Sequence, residues 1–310
     1  MKRFVVGIDV GGTNVKLGLV NSSGRIISRT YFPTKSYIRS RNKLIDAIAQ
    51  AVLRLLRAAR VPQSSVLGIG LGLPGLIDPQ RGFVNFLPNI PGWKNVPLKK
   101  MLEKKLRLPV FIDNDAKIVA LAEWKFGSGR GFDHLVCLTL GTGVGSGLIL
   151  DGRLYRGADN TAGELGHLPL NEKGAACNCG GVACLERTIG NRYLVQRSRK
   201  IFGKGLEPQA VGKLAKRGDA RALRFWKETA EHLGNALAGV VNLLNPQCIV
   251  VGGGVANNFR FMRKTLIEVL RRRALRVPAR RVKVVRARLV KDAGILGARV
   301  LVEQSLGRSS

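Results

Sequence analysis

Two segments about 130 residues apart in this sequence share one layout, and this repeat constrains the fold more than any other feature. Residues 4–20 and 135–150 each contain an apolar run, a glycine-rich turn and a second apolar run. This pattern predicts two strands joined by a tight turn. The turns correspond, with Gly11-Gly12-Thr13 in the first copy and Gly141-Thr142-Gly143 in the second. The repeat therefore predicts two α/β domains of related topology.

The rest of the chain alternates between helical and strand-like patterns. Helices are predicted at 40–60, 98–106, 116–126, 186–245 and 293–304. Strands are predicted at 66–73, 110–113 and 248–255, and the last of these leads into a third glycine-rich turn. Residues 74–97 are rich in Pro and Asn and are predicted to be irregular.

The domain boundary is predicted near residues 115–120. The last helix contains Gly294 and Gly297, which are small enough for close packing, and it is expected to return to the first domain. We therefore predict a smaller domain of residues 1–117 with 293–310, and a larger domain of residues 118–292.

The glycine-rich turns are candidate phosphate sites, because backbone N–H groups in such turns converge on anionic oxygens. None of them matches the Walker or dinucleotide-binding patterns. The hydroxyls of Thr13 and Thr142 would add donors. Asp9, just before the first turn, is placed either to hold Mg²⁺ through water or to stabilise the turn.

Asp113, Asn114 and Asp115 follow a predicted strand. A hydroxyl that attacks phosphorus needs a carboxylate to take its proton, which makes both aspartates candidates for a kinase base. An Asx turn at the start of the next helix is the alternative. The residues alone do not choose between the two carboxylates.

One histidine and three cysteines form a candidate metal shell. His167, Cys177, Cys179 and Cys184 supply four ligands, which is a complete tetrahedral set for structural zinc. A redox thiol pair is the alternative, but this spacing suits chelation better. Cys137 and Cys248 lie in apolar runs and are predicted to be buried.

Three polar residues are candidates for binding sugar hydroxyls. Glu164 and Glu186 flank the cysteine motif, and Asn89 lies in the irregular stretch. Carboxylates and amides accept and donate the hydrogen bonds that hydroxyls offer. Each of them, taken alone, would equally suit a solvated surface.

The formal charge of +32 indicates either a polyanionic partner or a solvated, arginine-rich surface. The excess is greatest at residues 260–291, which lack the interleaved aromatic residues of a single-strand stacking platform. No apolar run reaches the roughly 18 residues of a membrane helix, and the chain opens without a signal peptide. We therefore expect a cytoplasmic protein that does not enter a membrane.

Five motifs together resemble the ROK family (repressors, open reading frames and sugar kinases) of the sugar kinase–heat-shock–actin superfamily. They are Asp9–Asn14, Gly72–Gly75, Asp113–Asp115, Asp292–Gly297 and the run from Gly163-Glu164-Leu165-Gly166-His167 to Cys177, Cys179, Cys184 and Glu186. The resemblance covers about residues 4–303. It implies an α/β, actin-like ATPase (ribonuclease H-like) duplicated fold, with two domains around a central cleft.

The resemblance also implies roles for individual residues. The catalytic base corresponds to Asp115, and the sugar-binding positions to Asn89, Asn114, Asp115, Glu164, His167 and Glu186. His167 would serve zinc with one ring nitrogen and a sugar hydroxyl with the other. The ATP phosphates correspond to Gly11, Gly12, Thr13, Asn14, Lys16, Thr142 and Gly143, and the adenosine side to Gly252, Gly253 and Gly254.

Two residues depart from the family pattern. Ala183 stands where a glycine is usual, a change expected to cost little if the backbone there has a negative φ. Lys117 stands where an asparagine is common and adds a positive charge near the expected path of the phosphoryl group.

The activity implied is phosphorylation of a hexose by ATP and Mg²⁺, with glucose as the expected sugar and a structural Zn²⁺ in the protein. Kinases for N-acetylmannosamine, N-acetylglucosamine or fructose are alternatives, and polyphosphate is an alternative donor. A sugar-responsive repressor is a further alternative. Repressors of the family carry an N-terminal helix-turn-helix, whereas a strand is predicted here from Phe4, so nucleic-acid binding is not expected. A homodimer is expected.

Overall fold

The structure is a computed structural model and describes residues 4–37, 40–87, 90 and 92–307. The strands are β1 (Phe4–Val10), β2 (Asn14–Val20), β3 (Ile26–Pro33), β4 (Val66–Leu73), β5 (Leu76–Asp78), β6 (Phe83–Phe86), β7 (Lys94–Val96), β8 (Val110–Asn114), β9 (Leu135–Leu140), β10 (Val144–Leu150), β11 (Arg153–Tyr155), β12 (Cys248–Gly252) and β13 (Lys283–Arg286). The helices are α1 (Arg41–Ala58), α2 (Leu98–Leu106), α3 (Asp115–Phe126), α4 (Glu186–Ile189), α5 (Asn191–Phe202), α6 (Pro208–Lys216), α7 (Ala220–Leu244), α8 (Phe259–Arg273), α9 (Arg276–Arg281) and α10 (Ala293–Ser305).

The chain forms two compact units. The first comprises Met1–Phe126, Arg156–Ala162 and Lys291–Ser310, and the second comprises Gly127–Tyr155 and Gly163–Val290. The boundary predicted at residue 117 lies inside α3, and the separate segment Arg156–Ala162 was not anticipated. The predicted domain ranges stay a prediction.

The sheet of the first unit has the strand order β3-β2-β1-β4-β8. Strands β1, β2 and β3 pair antiparallel, whereas β4 and β8 run parallel to β1. Every residue of β4 is buried, as expected for a central parallel strand covered on both faces. Apolar side chains of this sheet pack with those of α1 and α2 in one core.

The sheet of the second unit repeats this arrangement, with the order β11-β10-β9-β12-β13. Here β9, β10 and β11 pair antiparallel, and β12 and β13 run parallel to β9. Its core includes apolar residues of α7 and α8. Each unit thus contains a mixed five-stranded sheet, and the prediction of two α/β domains of related topology is confirmed.

The last helix, α10, packs in the first unit against β1, β4 and α3. A Cβ atom at Gly297 would collide with the carbonyl oxygen of Ile118, and one at Gly294 would lie 2.7 Å from the Cβ of Asp9. The predicted close packing of these glycines is confirmed, because no larger residue fits between the helix and its neighbours.

The interpretation of residues 74–97 as irregular was wrong in part. Within them β5, β6 and β7 form a small antiparallel sheet. The strands are only three or four residues long, and such short segments carry little periodicity of their own. In the described part of the chain, no helix has both the length and the apolar character needed to cross a bilayer.

Candidate active site and metal centre

The first glycine-rich loop connects β1 and β2. The N–H of Gly11 donates to the carbonyl of Asn14 at 3.0 Å, and the hydroxyl of Thr34 donates to the carbonyl of Gly11 at 2.7 Å. These bonds connect the loop to the start of β2 and to Thr34, and so fix its backbone. A Cβ atom at Gly12 would meet no protein atom within 4 Å, so the fold leaves open space at this position.

Asp9 and Lys16 face each other at the base of this loop, with 3.4 Å between Asp9 Oδ2 and Lys16 Nζ. Both side chains are partly exposed, at 25% and 47%. Solvent therefore reaches this carboxylate, and its interaction with the lysine is weak. A partly hydrated carboxylate beside a glycine loop suits Mg²⁺, which keeps several waters when it binds.

The β8–α3 turn gives the two candidate bases different surroundings. Asp113 is 1% exposed, and its Oδ2 accepts hydrogen bonds from Arg156 Nε at 3.1 Å and Nη2 at 2.7 Å. Its Oδ1 accepts from the N–H of Asn114 at 2.8 Å. Asp115 is the first residue of α3 and is only partly buried. The carboxylate of Asp113 is thus bound by a guanidinium.

Asn114 caps α3. Its Oδ1 accepts from the N–H groups of Ala116 at 2.9 Å and Lys117 at 3.3 Å, and its Nδ2 donates to the carbonyl of Gly75 at 3.2 Å. Capping by Asn satisfies helix N–H groups that have no partner within the helix. The Asx turn that the sequence offered as the alternative for this segment is therefore present, and Asn114 is its capping residue.

Lys117 is 2% exposed, and its ammonium donates to the carbonyl of Asn160. Asn160 belongs to the segment Arg156–Ala162, which also supplies the arginine bound to Asp113. The positive charge of Lys117, a departure from the family pattern, thus forms a hydrogen bond with a backbone carbonyl of the same unit.

The second glycine-rich loop connects β9 and β10 and is held by α4 and α5. The N–H of Gly141 donates to the carbonyl of Gly143 at 2.9 Å, and the N–H of Asn191 donates to the carbonyl of Gly141 at 2.9 Å. Glu186 Oε2 accepts from the N–H of Val144 at 2.8 Å. A Cβ atom at Gly143 would collide with this carboxylate, whereas one at Gly141 would meet nothing within 4 Å.

The third glycine-rich turn follows β12. Gly253 has a φ of +85°, and a Cβ atom there would collide with the backbone of Leu140 in β9. This turn therefore requires glycine for both conformation and space. Gly254 has a helical backbone and leads into a short 3-10 turn, Val255–Asn258.

The predicted metal ligands come together. The ligand atoms of His167, Cys177, Cys179 and Cys184 all lie within 4.8 Å of one another. The distances are 3.7 Å from Cys177 Sγ to His167 Nδ1 and 3.7 Å from Cys179 Sγ to Cys184 Sγ. Tetrahedral zinc with Zn–S bonds of about 2.3 Å places its sulfur ligands about 3.8 Å apart, close to the Sγ–Sγ distance seen here, so this set fits the ion.

Backbone hydrogen bonds shape the segment of residues 174–184, which carries the three cysteines and which we call the metal loop. The N–H of Cys177 donates to the carbonyl of Gly181 at 2.7 Å, and the N–H of Gly180 donates to the carbonyl of Cys177 at 3.0 Å. Burial raises the pKa of the Cys184 thiol to about 12, and the neighbouring thiols act in the same direction. A bound cation opposes this shift, because metal ligands are thiolates.

The condition under which Ala183 was expected to cost little is not met. Its φ is +53°, in the left-handed region, rather than negative. This conformation brings the Cβ of an L-residue too close to its own backbone and costs about 1–2 kcal/mol, which explains why glycine suits the position. The Ala183 N–H donates to the carbonyl of Ala175 at 3.0 Å, which fixes the residue inside the loop.

Of the remaining predicted sugar residues, Glu164 and His167 lie at the two ends of a short 3-10 turn. Glu164 is exposed, and its carbonyl accepts from the N–H of His167 at 3.0 Å. Since His167 Nδ1 faces Cys177, its Nε2 is the nitrogen left to meet a second group. Asn89 lies outside the described residues.

Arg156 and Asn160 were not predicted as part of the site. Arg156 is one of 52 basic residues, so nothing in its local sequence distinguishes it. Its partner Asp113 lies 43 positions away, and only the folded chain brings the two together.

The two matching five-stranded sheets with glycine-rich loops define the actin-like ATPase fold. A family model described as the ROK family matches residues 5–305. The chain belongs to the ROK family.

Relatives that match almost the full chain include several glucokinases. A glucokinase from Thermotoga maritima is 34% identical over 99% of both chains. The crystal structure of a ROK hexokinase from Thermus thermophilus has a TM-score of 0.85 and 35% identity, covering 99% of this chain and 100% of that one. A ROK glucokinase from Streptomyces griseus in complex with glucose and AMPPNP has a TM-score of 0.81 and 32% identity, covering 97% of this chain and 99% of that one.

Proposed function

We propose that this protein is an ATP-dependent glucokinase that converts glucose and ATP to glucose 6-phosphate and ADP. The observation that carries the proposal is the similarity, over 97% of this chain, to a glucokinase whose structure holds glucose and the ATP analogue AMPPNP. The arrangement of the described site residues supports the same chemistry.

In the proposed reaction, the oxygen of the glucose 6-hydroxyl forms a bond to the γ-phosphorus of ATP. The bond from that phosphorus to the β–γ bridging oxygen breaks, and ADP leaves. The hydroxyl proton passes to the carboxylate of Asp115, which acts as the general base. The surroundings of Asp113 favour this assignment, because its buried carboxylate already accepts two hydrogen bonds from the Arg156 guanidinium.

The loops would hold the phosphates of ATP through their backbone N–H groups. We assign this role to Gly11, Gly12, Thr13, Asn14, Lys16, Thr142 and Gly143, and the adenosine side to Gly252, Gly253 and Gly254. The open space at Gly12 supports the assignment, because no protein atom requires glycine there, whereas a phosphate close to the backbone would. Asp9 would hold Mg²⁺, which supplies charge neutralisation at the phosphates.

For glucose we propose Asn89, Asn114, Glu164, His167 and Glu186, together with Asp115. The zinc ion would be structural, because four protein ligands leave no open coordination position. Its role would be to order the loop that carries His167 and that ends two residues before Glu186.

The test is an ADP-release assay with MgATP and four sugars: glucose, fructose, N-acetylglucosamine and N-acetylmannosamine. We expect kcat/KM for glucose to exceed that for each other sugar at least about tenfold. A higher value for another sugar would reassign the substrate. No turnover with any sugar, together with sequence-specific DNA binding, would instead favour a repressor.

Two finer expectations have tests of their own. Replacing ATP by polyphosphate tests whether the exposed arginines of α8 and α9 serve a polyanionic donor, which would appear as turnover without ATP. Light scattering of the purified protein tests for the homodimer.

A further inference from the structure

The segment Arg156–Ala162, which we call the strap, belongs to the first unit, although the residues on either side of it along the chain belong to the second. It is closed on itself, because the N–H of Ala162 donates to the carbonyl of Arg156 at 2.9 Å and the hydroxyl of Thr161 donates to Asp159 Oδ1 at 2.7 Å. The strap is therefore a defined piece of the first unit.

One end of the strap is tied to β8. Arg156 donates two hydrogen bonds to Asp113 Oδ2, at 3.1 and 2.7 Å. The carboxylate is 1% exposed and the arginine 27%. A charge pair with one partner fully buried is far less screened than a surface pair, and removing one partner leaves an uncompensated charge.

The other half of the strap is tied to α3. The ammonium of Lys117, a side chain 2% exposed, donates to the carbonyl of Asn160. Asp113 precedes Asp115 by two residues and Lys117 follows it by two. The strap thus binds a side chain on each side of Asp115, at the point where the strand ends and the helix begins.

We propose that the strap positions the carboxylate of Asp115, and that Arg156 and Lys117 are positioning residues for the phosphoryl transfer. This inference rests on the proposed kinase function. A base must be held within hydrogen-bonding reach of the attacking hydroxyl, and an error of about 1 Å can cost about a hundredfold in rate. Lys117 acts in this account through the backbone of the strap rather than on the phosphates.

The main variant is Asp113→Asn/Arg156→Met, which removes both charges together so that no buried charge is left unpaired. We expect its kcat for glucose to fall at least about tenfold while KM for MgATP stays within about twofold, because the ATP loops are unchanged. Lys117→Met should likewise lower kcat and leave KM for MgATP nearly unchanged. Arg156→Lys keeps the charge and should retain more of kcat than Arg156→Met.

Arg299→Met is the matched control. Arg299 is another arginine of the first unit that pairs with a carboxylate, Glu303 in α10, and it is buried. Its loss should lower the melting temperature and leave kcat within about twofold when assayed well below melting. This control separates loss of stability from loss of positioning.

Hydrogen–deuterium exchange of residues 110–120 gives a readout that needs no catalysis. The double variant should exchange faster there than the wild type, with other segments of the first unit unchanged. An active wild type whose double variant keeps normal kcat and normal exchange would overturn the strap proposal. A wild type without sugar kinase activity would overturn the proposed function, and the exchange result would still decide whether the strap fixes the turn.

Discussion

The carboxylate of Glu186 accepts a 2.8 Å hydrogen bond from the backbone N–H of Val144. Glu186 begins α4, two residues after the predicted metal ligand Cys184, and Val144 begins β10 directly after the second glycine-rich loop. The metal loop and the proposed phosphate loop are therefore joined through one side chain. Glu186, which the sequence predicts to bind sugar, therefore also supports a loop that is proposed to bind the phosphates of ATP.

Substitutions at Glu186 should separate these two roles. Glu186→Ala removes the acceptor and leaves the Val144 N–H unpaired, at a cost of about 1–3 kcal/mol, so we expect KM for ATP to rise about tenfold or more. Glu186→Gln keeps an acceptor oxygen and should leave KM for ATP nearly unchanged while weakening glucose binding. Steady-state kinetics with each substrate varied will measure both. Equal KM values for ATP in the alanine variant and the wild type would disprove the support role.

The four-ligand cluster should bind about one zinc per chain in the purified protein. Cys179→Ser replaces the exposed ligand and should abolish most of the zinc detected by mass spectrometry, with faster proteolysis of residues 174–184. Cys248→Ser alters a cysteine outside the cluster and serves as the control that keeps its zinc. Equal zinc contents in the two variants would show that the cluster is not the metal site.

Gly253 and Gly254 should respond differently to alanine. Gly253→Ala places a Cβ against the Leu140 backbone at a φ of +85°, so we expect the free energy of unfolding to fall by about 2 kcal/mol or more. At Gly254 the nearest atom would be Gln209 Nε2 at 3.9 Å, and Gly254→Ala should change stability by less than about 0.5 kcal/mol. Urea denaturation of both variants makes the comparison, and similar losses would refute the steric account.

Gly12→Ala should affect binding without affecting the fold. The added methyl group meets no protein atom within 4 Å, and the backbone is outside the left-handed region. We expect an unchanged melting temperature and a rise of about tenfold in KM for MgATP, because the methyl group would block the approach of a phosphate to the loop. An unchanged KM would remove Gly12 from the proposed site.

Much of the fold was predictable from local patterns. The hairpins β1–β2 and β9–β10 and the parallel strands β4 and β12 follow from apolar runs bounded by glycine turns. The clustering of His167 with three cysteines was also predictable, since a histidine and three closely spaced cysteines suit metal chelation.

Other features depend on contacts between distant parts of the chain. The pairing of Asp113 with Arg156 and the bond from Val144 to Glu186 join residues 43 and 42 positions apart, and no local pattern encodes either. The positive φ of Ala183 likewise arises from the way the metal loop closes. The assignment of Asp115 rather than Asp113 as the base rests on the family resemblance, and it stays a prediction; the structure adds only that the carboxylate of Asp113 is bound to Arg156.

The most direct test of the account is the turnover of glucose by Asp115→Asn. The substitution keeps the size and the first helical position of this side chain but removes the proton acceptor. We predict that kcat falls by about 10²–10⁴, with the melting temperature, the zinc content and KM for MgATP close to those of the wild type. A kcat near the wild-type value would contradict the assignment of Asp115 as the base.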